Sequence, residues 1–370
     1  MLWIPGPTEV RPEILAELAR PTIGHRSPAM AELHERIDPP LANAFGLEAG
    51  SKSNVAVHST SGTGMMEASL RGAGPRILCV VNGAFSRRFA QVAESLGKEV
   101  HTLEVAWGMG VLPEDLAGAL SNDGPFDAVT LVANETSTGA RTPLDSIKSV
   151  LAAHKETHLL VDVVSYIAGM SIDFDSNGVD FAFAGVQKAL ALPPGIAVFC
   201  ASERYQARAR TISDRGFFLD PVRTIDGHIN RKTPATPAIP HYNALAKQLE
   251  DIDAGVTLPE GERDKSGAAA WQARFDKHDR MKERTLSWAA GHGLEPFTGD
   301  GFRSSTVSCV SSGDLDVAGF VGGLKQLGFE ISNGYGDLKG RTFRIGHMGD
   351  HTEAQLEQLL AAADDVIAGL

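Results

Sequence analysis

Residues 180–200 read DFAFAGVQKALALPPGIAVFC, and two short apolar runs in this stretch, Asp180–Ala184 and Ile196–Cys200, flank Lys188. Short apolar runs without polar alternation are typical of strands that are buried on both faces of a sheet. Further runs of this kind occur at Ile77–Val81, Ala128–Ala133 and His158–Val161. The chain therefore contains several candidates for fully buried strands.

Helical patterns, such as Phe85–Leu96 and Leu144–His154, separate these runs. Alternation of strands and helices predicts parallel strands that are joined by right-handed helical crossovers. We therefore predict an α/β domain with a mostly parallel central sheet. Its ligand is expected at the carboxyl ends of the strands.

The pattern changes in the last third of the chain. A long helix is predicted from about His241, and the charged, aperiodic residues 250–267 are predicted to form an exposed loop. Strand candidates then alternate with helices, at Val307–Val310, Phe329–Ser332 and Thr342–Ile345. Since 370 residues exceed one comfortable core, we predict an N-terminal segment (1–20), a large α/β domain (21–245) and a smaller C-terminal α+β domain (246–370).

The composition excludes several classes of function. Asp and Glu total 46 against 34 Lys and Arg, a formal net charge of −12. Without a basic tract, this balance argues against nucleic-acid binding and against anionic membrane surfaces. Cys79, Cys200 and Cys309 lie far apart in apolar runs, which argues against a disulfide framework or a zinc site. No export signal or spanning segment is recognisable, so a cytoplasmic location is expected.

Two residues near the buried runs are candidates for chemistry. Lys188 lies among apolar neighbours, and loss of hydration favours its neutral, nucleophilic form. A lysine that extends out of a loop after a strand would give the same pattern. Asp162 follows the run that begins at His158, where an acid faces the ligand crevice and could hold a cationic ring nitrogen or a metal. A helix cap or a loop acid is the alternative.

Other residues are suited to binding anions. Residues 61–64 (SGTG) precede a helix-like run, Met65–Leu70, and hydroxyls and free N–H groups at a helix start suit phosphate. A capped helix start is the alternative. Arg344, in a predicted strand, could bind a carboxylate through two parallel N–H bonds or could lie solvated at a sheet edge. His25 and Arg26 could bind an anion or cap a turn.

Together these features describe one site, with an amine nucleophile, an acid for a ring nitrogen, a phosphate cradle and an arginine for a carboxylate. Pyridoxal phosphate needs the first three, and an amino-acid substrate needs the fourth. No HExxH helix and no GxSxG elbow occurs, and no metal site is predicted.

The chain resembles a class V, fold-type I, pyridoxal-phosphate-dependent aminotransferase of the alanine/serine–glyoxylate (pyruvate) group. The resemblance extends from residues 5–8 (PGPT) to residues 344–349 (RIGHMG). Its most specific motifs are residues 134–139 (NETSTG), the run that ends at Asp162, and residues 187–190 (QKAL). The resemblance implies the PLP-dependent transferase fold and a homodimer with shared active sites.

The resemblance also implies a role for individual residues. Lys188 would form the covalent link to the cofactor and move the substrate proton, and Asp162 would pair with the ring nitrogen. Val164 and Phe85 would cover the two ring faces, with Phe85 at a position where several relatives carry Trp, Tyr or His. The cofactor phosphate would be bound by Ser61, Gly62, Thr63 and Gln187, and Thr136 would lie near the ring's hydroxyl group. Thr236 would contact the phosphate in the neighbouring subunit. Arg344 would bind the substrate α-carboxylate. Thr63 stands where some relatives carry histidine, and His25 and Arg26 resemble the phosphate-binding pair of phosphoserine transaminases.

The leading interpretation is a ping-pong transaminase that moves an amino group from a small L-amino acid, of the serine or alanine type, to glyoxylate or pyruvate. A phosphoserine transaminase is the alternative within the class. A lyase of the same fold, such as a cysteine desulfurase, would require a mobile, exposed cysteine. All three cysteines of this chain lie in strand-like runs, which argues against that alternative. A non-catalytic binding protein is disfavoured because Lys188, Asp162 and Arg344 are all present.

Overall fold

The computed structural model describes residues 1–370 as a series of alternating helices and strands. The strands are β1 (Asn54–His58), β2 (Arg76–Val81), β3 (Glu99–Glu104), β4 (Ala128–Val132), β5 (Asn134–Glu135), β6 (Ala140–Arg141), β7 (His158–Asp162), β8 (Phe181–Gly185), β9 (Ala197–Ala201), β10 (Ser308–Ser311), β11 (Ser332–Asn333) and β12 (Thr342–Ile345). The helices are α1 (Pro12–Leu18), α2 (Pro28–Phe45), α3 (Gly62–Arg71), α4 (Ala84–Ser95), α5 (Pro113–Asp123), α6 (Leu144–Ala153), α7 (Glu203–Arg210), α8 (Pro221–Ile229), α9 (Ile239–Asp253), α10 (Ala268–Gly291), α11 (Val317–Gln326) and α12 (Glu353–Gly369). Short 3-10 turns occur at Glu260–Glu262 and Gly336–Leu338.

The central sheet has seven strands in the order β1-β9-β8-β7-β4-β2-β3. Strands β3, β2, β4, β7 and β8 are parallel, and β9 runs antiparallel to both of its neighbours, β8 and β1. No helix lies between β8 and β9, so the chain returns beside β8 in the opposite direction instead of making a crossover. The predicted mostly parallel α/β sheet is confirmed.

Both faces of this sheet are buried, which explains the continuous apolar runs. Along β2, Leu78 and Val80 join the largest core cluster, whereas Ile77 and Cys79 join a second cluster on the other face. Side chains alternate across a strand, so each run must be apolar on both sides. Helices α2, α5, α6 and α9 cover the first face, and α3, α4, α7 and α8 cover the second.

A third core cluster lies between helices α10, α11 and α12 and the antiparallel sheet β10-β12-β11. Trp3 belongs to this cluster, and its backbone N–H donates to Glu330 O at 2.7 Å. The start of the chain therefore packs on the C-terminal sheet. Helix α10 passes from the largest core, at Trp271, to this third core, at Trp288. The division into residues 1–20, 21–245 and 246–370 stays a prediction.

Several sequence-based expectations need correction. The loop predicted over residues 250–267 is wrong at its start, because α9 continues to Asp253, and Leu258 within it is only 2% exposed. The strand predicted at Phe329–Ser332 is wrong except at Ser332, where the two-residue strand β11 begins. Strands β1 and β3 gave no continuous apolar run because they form the two edges of the sheet, where one neighbour is missing. No helix combines the length and the apolar character that crossing a membrane requires.

Candidate active site

The topology brings the carboxyl ends of five strands to one edge of the sheet. Strand β1 is antiparallel to β9, which is antiparallel to β8, so β1 points in the same direction as β2, β4, β7 and β8. The residues that follow these strands line a cleft of about 350 Å³. Nine predicted site residues lie there: Ser61, Gly62, Thr63, Phe85, Thr136, Asp162, Val164, Gln187 and Lys188.

Lys188 is half-buried on the connection after β8, beneath the N-terminal segment. Its Nζ donates to the carbonyl oxygen of Pro5 and lies 5.9 Å from the ring centroid of Phe85. Gly6 has a φ of +94°, and a Cβ there would lie 2.4 Å from Lys188 Cδ. Only glycine therefore lets the N-terminal segment approach the lysine so closely.

Burial and nearby charges tune this amine. Burial, together with the Arg344 guanidinium, lowers the pKa of Lys188 to about 8, while Asp162 and Glu135 oppose the shift. At pH 7 about a tenth of the amine is therefore unprotonated, far more than for a lysine with the ordinary pKa of about 10.4. Such an amine can act as a nucleophile and can accept a proton.

Asp162 ends β7 and is 6% exposed. The Val164 N–H donates to its Oδ1 at 2.8 Å, and its Oδ2 accepts no hydrogen bond from the chain. Burial, with help from Glu135, raises the pKa of Asp162 to about 7 against the opposing effects of the Val164 amide, Lys188 and Arg88. The carboxyl group is thus poised to pair with a cation that enters the cleft.

The start of α3 forms one end of the cleft. Ser61 is the N-cap, and its Oγ accepts from the Gly64 N–H at 3.1 Å. The N–H groups of Gly62 and Thr63 have no backbone partner, as expected for a first helical turn. A Cβ on Gly62 would lie 2.9 Å from Val164 Cγ2, so the absent side chain lets the helix start lie against Val164. Free N–H groups and the helix dipole make this end suitable for a dianion.

Arg344 lies in β12, the central strand of the C-terminal sheet, and is 8% exposed. Its Nε and Nη2 donate to Asn333 O at 3.2 and 3.1 Å, and its Nη1 donates to Thr136 O at 3.0 Å. A guanidinium has five N–H groups, so these three contacts leave two for a ligand. No carboxylate of the chain lies within ion-pair distance of Arg344. A buried cation without a counter-ion is suited to an anionic ligand.

Arg344 does not line the cleft itself but borders it through its contact with Thr136, and three other predicted site residues lie away from the cleft. Thr236 is exposed beside a separate small pocket that His58 and Phe218 also line. Arg26 is exposed and His25 is half-buried in the segment before α2. Within one chain, the structure does not bring these three residues to Lys188.

The structure also places residues at the cleft to which the sequence assigned no role. Arg88 lines it, with its Cζ 5.0 Å from the Phe85 ring centroid. Glu135 is fully buried, and its Oε2 accepts the N–H groups of Phe85 and Ser86 at 3.0 and 2.9 Å. It thereby caps α4, because the N-cap residue Gly83 has no side chain to do so. The only sequence signal for Glu135 was an acid inside the NETSTG motif.

The comparisons with known proteins agree with this geometry. The family model "Aminotransferase class-V" matches residues 52–274, more than half of the chain. An uncharacterized aminotransferase of Methanocaldococcus jannaschii is 32% identical over 98% of this chain and 91% of its own length. A serine–glyoxylate aminotransferase of Methylorubrum extorquens is 28% identical over 98% of this chain and 90% of its own.

Solved structures show the same fold over the whole chain. An aspartate aminotransferase of subgroup IV from Thermus thermophilus is 27% identical, with a TM-score of 0.87 and coverage of 100% of this chain and 99% of its own. An alanine–glyoxylate aminotransferase from Nostoc sp. is 28% identical, with a TM-score of 0.86 and coverage of 99% and 94%. The chain therefore belongs to the class-V aminotransferase family and is a pyridoxal-phosphate-dependent transaminase.

Proposed function

We propose that this transaminase moves an amino group from a small L-amino acid, of the serine or alanine type, to glyoxylate or pyruvate in a ping-pong cycle. The observation that carries the proposal is the buried Arg344, whose two free N–H groups can bind an α-carboxylate near Lys188. The serine–glyoxylate and alanine–glyoxylate names of the similar proteins support the choice of substrates.

The cleft has the donors and acceptors that pyridoxal phosphate needs. The α3 start offers the Ser61 side chain and the free N–H groups of Gly62 and Thr63 to a phosphate. The Gln187 side-chain amide makes no hydrogen bond within the chain, which leaves it free for the same group. At the opposite end, the free Oδ2 of Asp162 is suited to a protonated ring nitrogen. We assign these contacts as cofactor-binding.

The cofactor, when bound, supplies a ring that delocalises the electron pair left when the Cα–H bond of an amino acid is broken. The chain's own residues do the rest. Lys188 would hold the cofactor covalently, and its Nζ, when free, would accept a proton from the substrate Cα. Arg344 holds the substrate carboxylate, so that Cα stays within reach of that nitrogen.

The remaining cleft residues orient and enclose the reacting groups. Asp162 would keep a proton on the ring nitrogen of a bound cofactor, because its buried carboxylate favours a cation beside it. Val164, Phe85 and Thr136 line the cleft, where Val164 and Phe85 would cover the two ring faces and Thr136 would lie towards the ring's hydroxyl side. Pro5 and Gly6 lie over Lys188 and limit the access of water.

A donor panel tests the substrate assignment. We expect saturating L-serine or L-alanine, without a 2-oxo acid, to bleach the visible absorbance of the bound cofactor in a single turnover. Glyoxylate or pyruvate should then restore the absorbance. Arg344→Lys should raise the amino-acid concentration that gives half-maximal bleaching by about tenfold or more, because one ammonium replaces a bidentate contact. Stopped-flow absorbance measures both quantities.

The control is Arg341→Lys, an exposed arginine just before the same strand, which should behave as the wild type. Bleaching by phosphoserine alone would favour the alternative phosphoserine transaminase, for which the resemblance implies that His25 and Arg26 bind the substrate phosphate. Bleaching by aspartate alone would also contradict the proposed donors.

The lyase alternative receives no support from the cysteines. Cys79, Cys200 and Cys309 are buried in strands β2, β9 and β10. Burial raises the pKa of Cys79 and of Cys309 to about 11, so neither thiol is ready to attack a substrate. These free thiols also support the proposed cytoplasmic location, since a reducing compartment keeps thiols free.

We further propose a homodimer with shared active sites. Thr236 is exposed and lies away from the cleft of its own chain, so a contact between this hydroxyl and the phosphate requires a second copy. Phe218, which lines the same small pocket as Thr236, and its neighbour Phe217 are exposed aromatic side chains (47% and 63%) that such a copy would cover.

We expect light scattering to give twice the chain mass of 39.3 kDa. Thr236→Ala should weaken cofactor binding about tenfold or more, because hydrogen bonds to charged groups are strong, while the mass stays unchanged. Thr22→Ala, at another exposed threonine, is the control. Mixed dimers of Thr236→Ala and Lys188→Ala chains should regain one complete site and therefore activity at limiting cofactor. A monomeric active enzyme would contradict the shared site.

A further inference from the structure

Arg274 is a fully buried arginine on α10, outside the cleft. Its Nε donates to Ala168 O at 3.0 Å, and its Nη2 donates to Ala189 O at 2.7 Å. Its Nη1 pairs with Asp350 Oδ1 at 2.9 Å and donates to Thr257 Oγ1 at 2.8 Å. One planar guanidinium therefore joins the Thr257 loop to three further segments of the chain in a fixed geometry.

Two of these segments are the connections that carry the proposed cofactor-binding residues. Ala189 directly follows Lys188, and Ala168 lies in the loop that begins after Asp162. Each connection contains a non-glycine residue in the left-handed region, Ala168 with a φ of 61° and Ala191 with a φ of 53°. Such backbone is unfavourable for alanine and persists only where neighbouring contacts hold it. The two hydrogen bonds from Arg274 supply contacts of this kind.

The third segment carries the substrate-carboxylate residue. Asp350 lies beyond β12, six residues after Arg344. Burial alone would raise the pKa of Asp350, but the cations Arg274, Arg11 and Lys277 hold it below its ordinary value. Arg11 Nε donates to Asp350 Oδ2 at 2.7 Å. Because a buried ion pair must keep both partners, movement of the Asp350 segment would pull on Arg274.

A neighbouring lysine completes this buried group. Lys277 Nζ donates to Gly349 O at 2.9 Å, and burial, followed by the charge of Arg274, lowers its pKa to about 7. Removal of the Arg274 charge would raise the pKa of Lys277 and so increase the fraction of its ammonium form that balances Asp350. Stability alone is therefore a poor test of what Arg274 does.

We propose that Arg274 is a positioning residue that holds the loops of Lys188 and Asp162 in their working geometry and, through Asp350, couples them to the Arg344 segment. The assignment rests on the proposed roles of Lys188, Asp162 and Arg344. Arg274 itself touches no reacting atom. It acts through the backbone carbonyls of Ala168 and Ala189.

Arg274→Lys in the cofactor-loaded enzyme tests this inference. A lysine keeps the charge beside Asp350 but cannot donate to both carbonyls in the fork geometry of arginine. We expect the half-reaction with the best amino donor to slow by about 10²-fold, with little change in the half-saturating concentration. We also expect the pH midpoint of the cofactor's visible absorbance to move by at least about half a unit. That midpoint reports the surroundings of Lys188, which Asp162, Glu135 and Arg344 face.

The control is Arg280→Lys, on the same helix, where the exposed side chain pairs with Glu353. It should leave the midpoint and the rate unchanged. Asp350→Asn keeps the carbonyl contacts of Arg274 but removes its counter-ion, and it should shift the midpoint in the same direction by less. If Arg274→Lys does not fold, the shift of the absorbance midpoint in Asp350→Asn tests the role of Arg274 instead.

A wild-type rate and midpoint in folded Arg274→Lys, with only a lower melting temperature, would overturn the inference. Equal effects of Arg280→Lys would overturn it as well. The absorbance midpoint needs no knowledge of the donor. A wild-type enzyme that reacts with no amino acid would contradict the proposed function, and the midpoint would still decide the role of Arg274.

Discussion

Lys188→Ala is expected to slow the first half-reaction by about 10²- to 10⁴-fold, the usual contribution of a positioned acid–base group. The amine lies in a buried environment that lowers its pKa to about 8, so near neutral pH it can both release and accept a proton. Alanine retains the cleft but provides no nitrogen at that place. Stopped-flow absorbance with saturating L-serine or L-alanine measures the loss.

Two controls separate the chemistry from general damage. Lys52→Ala removes a lysine whose side chain is 74% exposed and should react as the wild type. Lys188→Arg restores a cation that stays protonated and should not recover the rate. An added primary amine should partly rescue Lys188→Ala, since it returns a proton acceptor to the cleft. An unimpaired half-reaction in the alanine variant would refute the role of Lys188.

Asp162→Asn should lower the half-reaction rate by about 10²- to 10³-fold, comparable with the removal of one preorganised electrostatic contact. Asparagine fills nearly the same space, and its Oδ1 can still accept from the Val164 N–H. It carries no charge to favour a proton on the ring nitrogen. Asp145→Asn, an exposed acid at the start of α6, is the control and should retain the wild-type rate.

In the cofactor-free protein, the stability difference between the wild type and Asp162→Asn should depend on pH. Burial raises the pKa of Asp162 to about 7, above its value of about 3.9 in an unfolded chain. The folded state therefore binds this proton more tightly than the unfolded state does. The resulting contribution of Asp162 to the free energy of unfolding is fully present below pH about 4 and is lost as the pH rises towards 7. The wild-type unfolding free energy minus that of Asp162→Asn should fall across this range. Urea titrations of both proteins at pH about 4 and at pH about 7 measure this difference. A difference that stays constant or rises with pH would contradict the raised pKa of Asp162.

The sheet and most of the cleft could be predicted from the sequence because their signal is local. The runs that became β2, β4, β7, β8 and β9 are apolar throughout, since helices cover both faces of the sheet. The residues just after such strands must lie at the carboxyl edge, so the sequence pattern is enough to group Asp162 and Lys188 at one site, whereas Thr136 was assigned through the resemblance. The edge strands β1 and β3 lacked this signal and could not be predicted in the same way.

Residues that act through distant partners could not be found from local pattern. Glu135 caps α4 from another segment, and Arg274 reaches carbonyls more than eighty residues away in sequence. A buried carboxylate or guanidinium has the same sequence appearance as a surface one, because burial is a property of what packs around it. Gly6 likewise is informative only because the fold places Lys188 beside it.

The sequence by itself determined the alternation of the buried strands with helices, the family and the identity of the groups that can react, because these depend on local pattern and residue type. Only the tertiary structure decided which charges lie buried together. The lowered pKa of Lys188, the raised pKa of Asp162 and the unpaired cation of Arg344 arise from desolvation and from neighbours that are distant in the chain. Electrostatic energies depend on distance and on access to water, and the fold alone sets both.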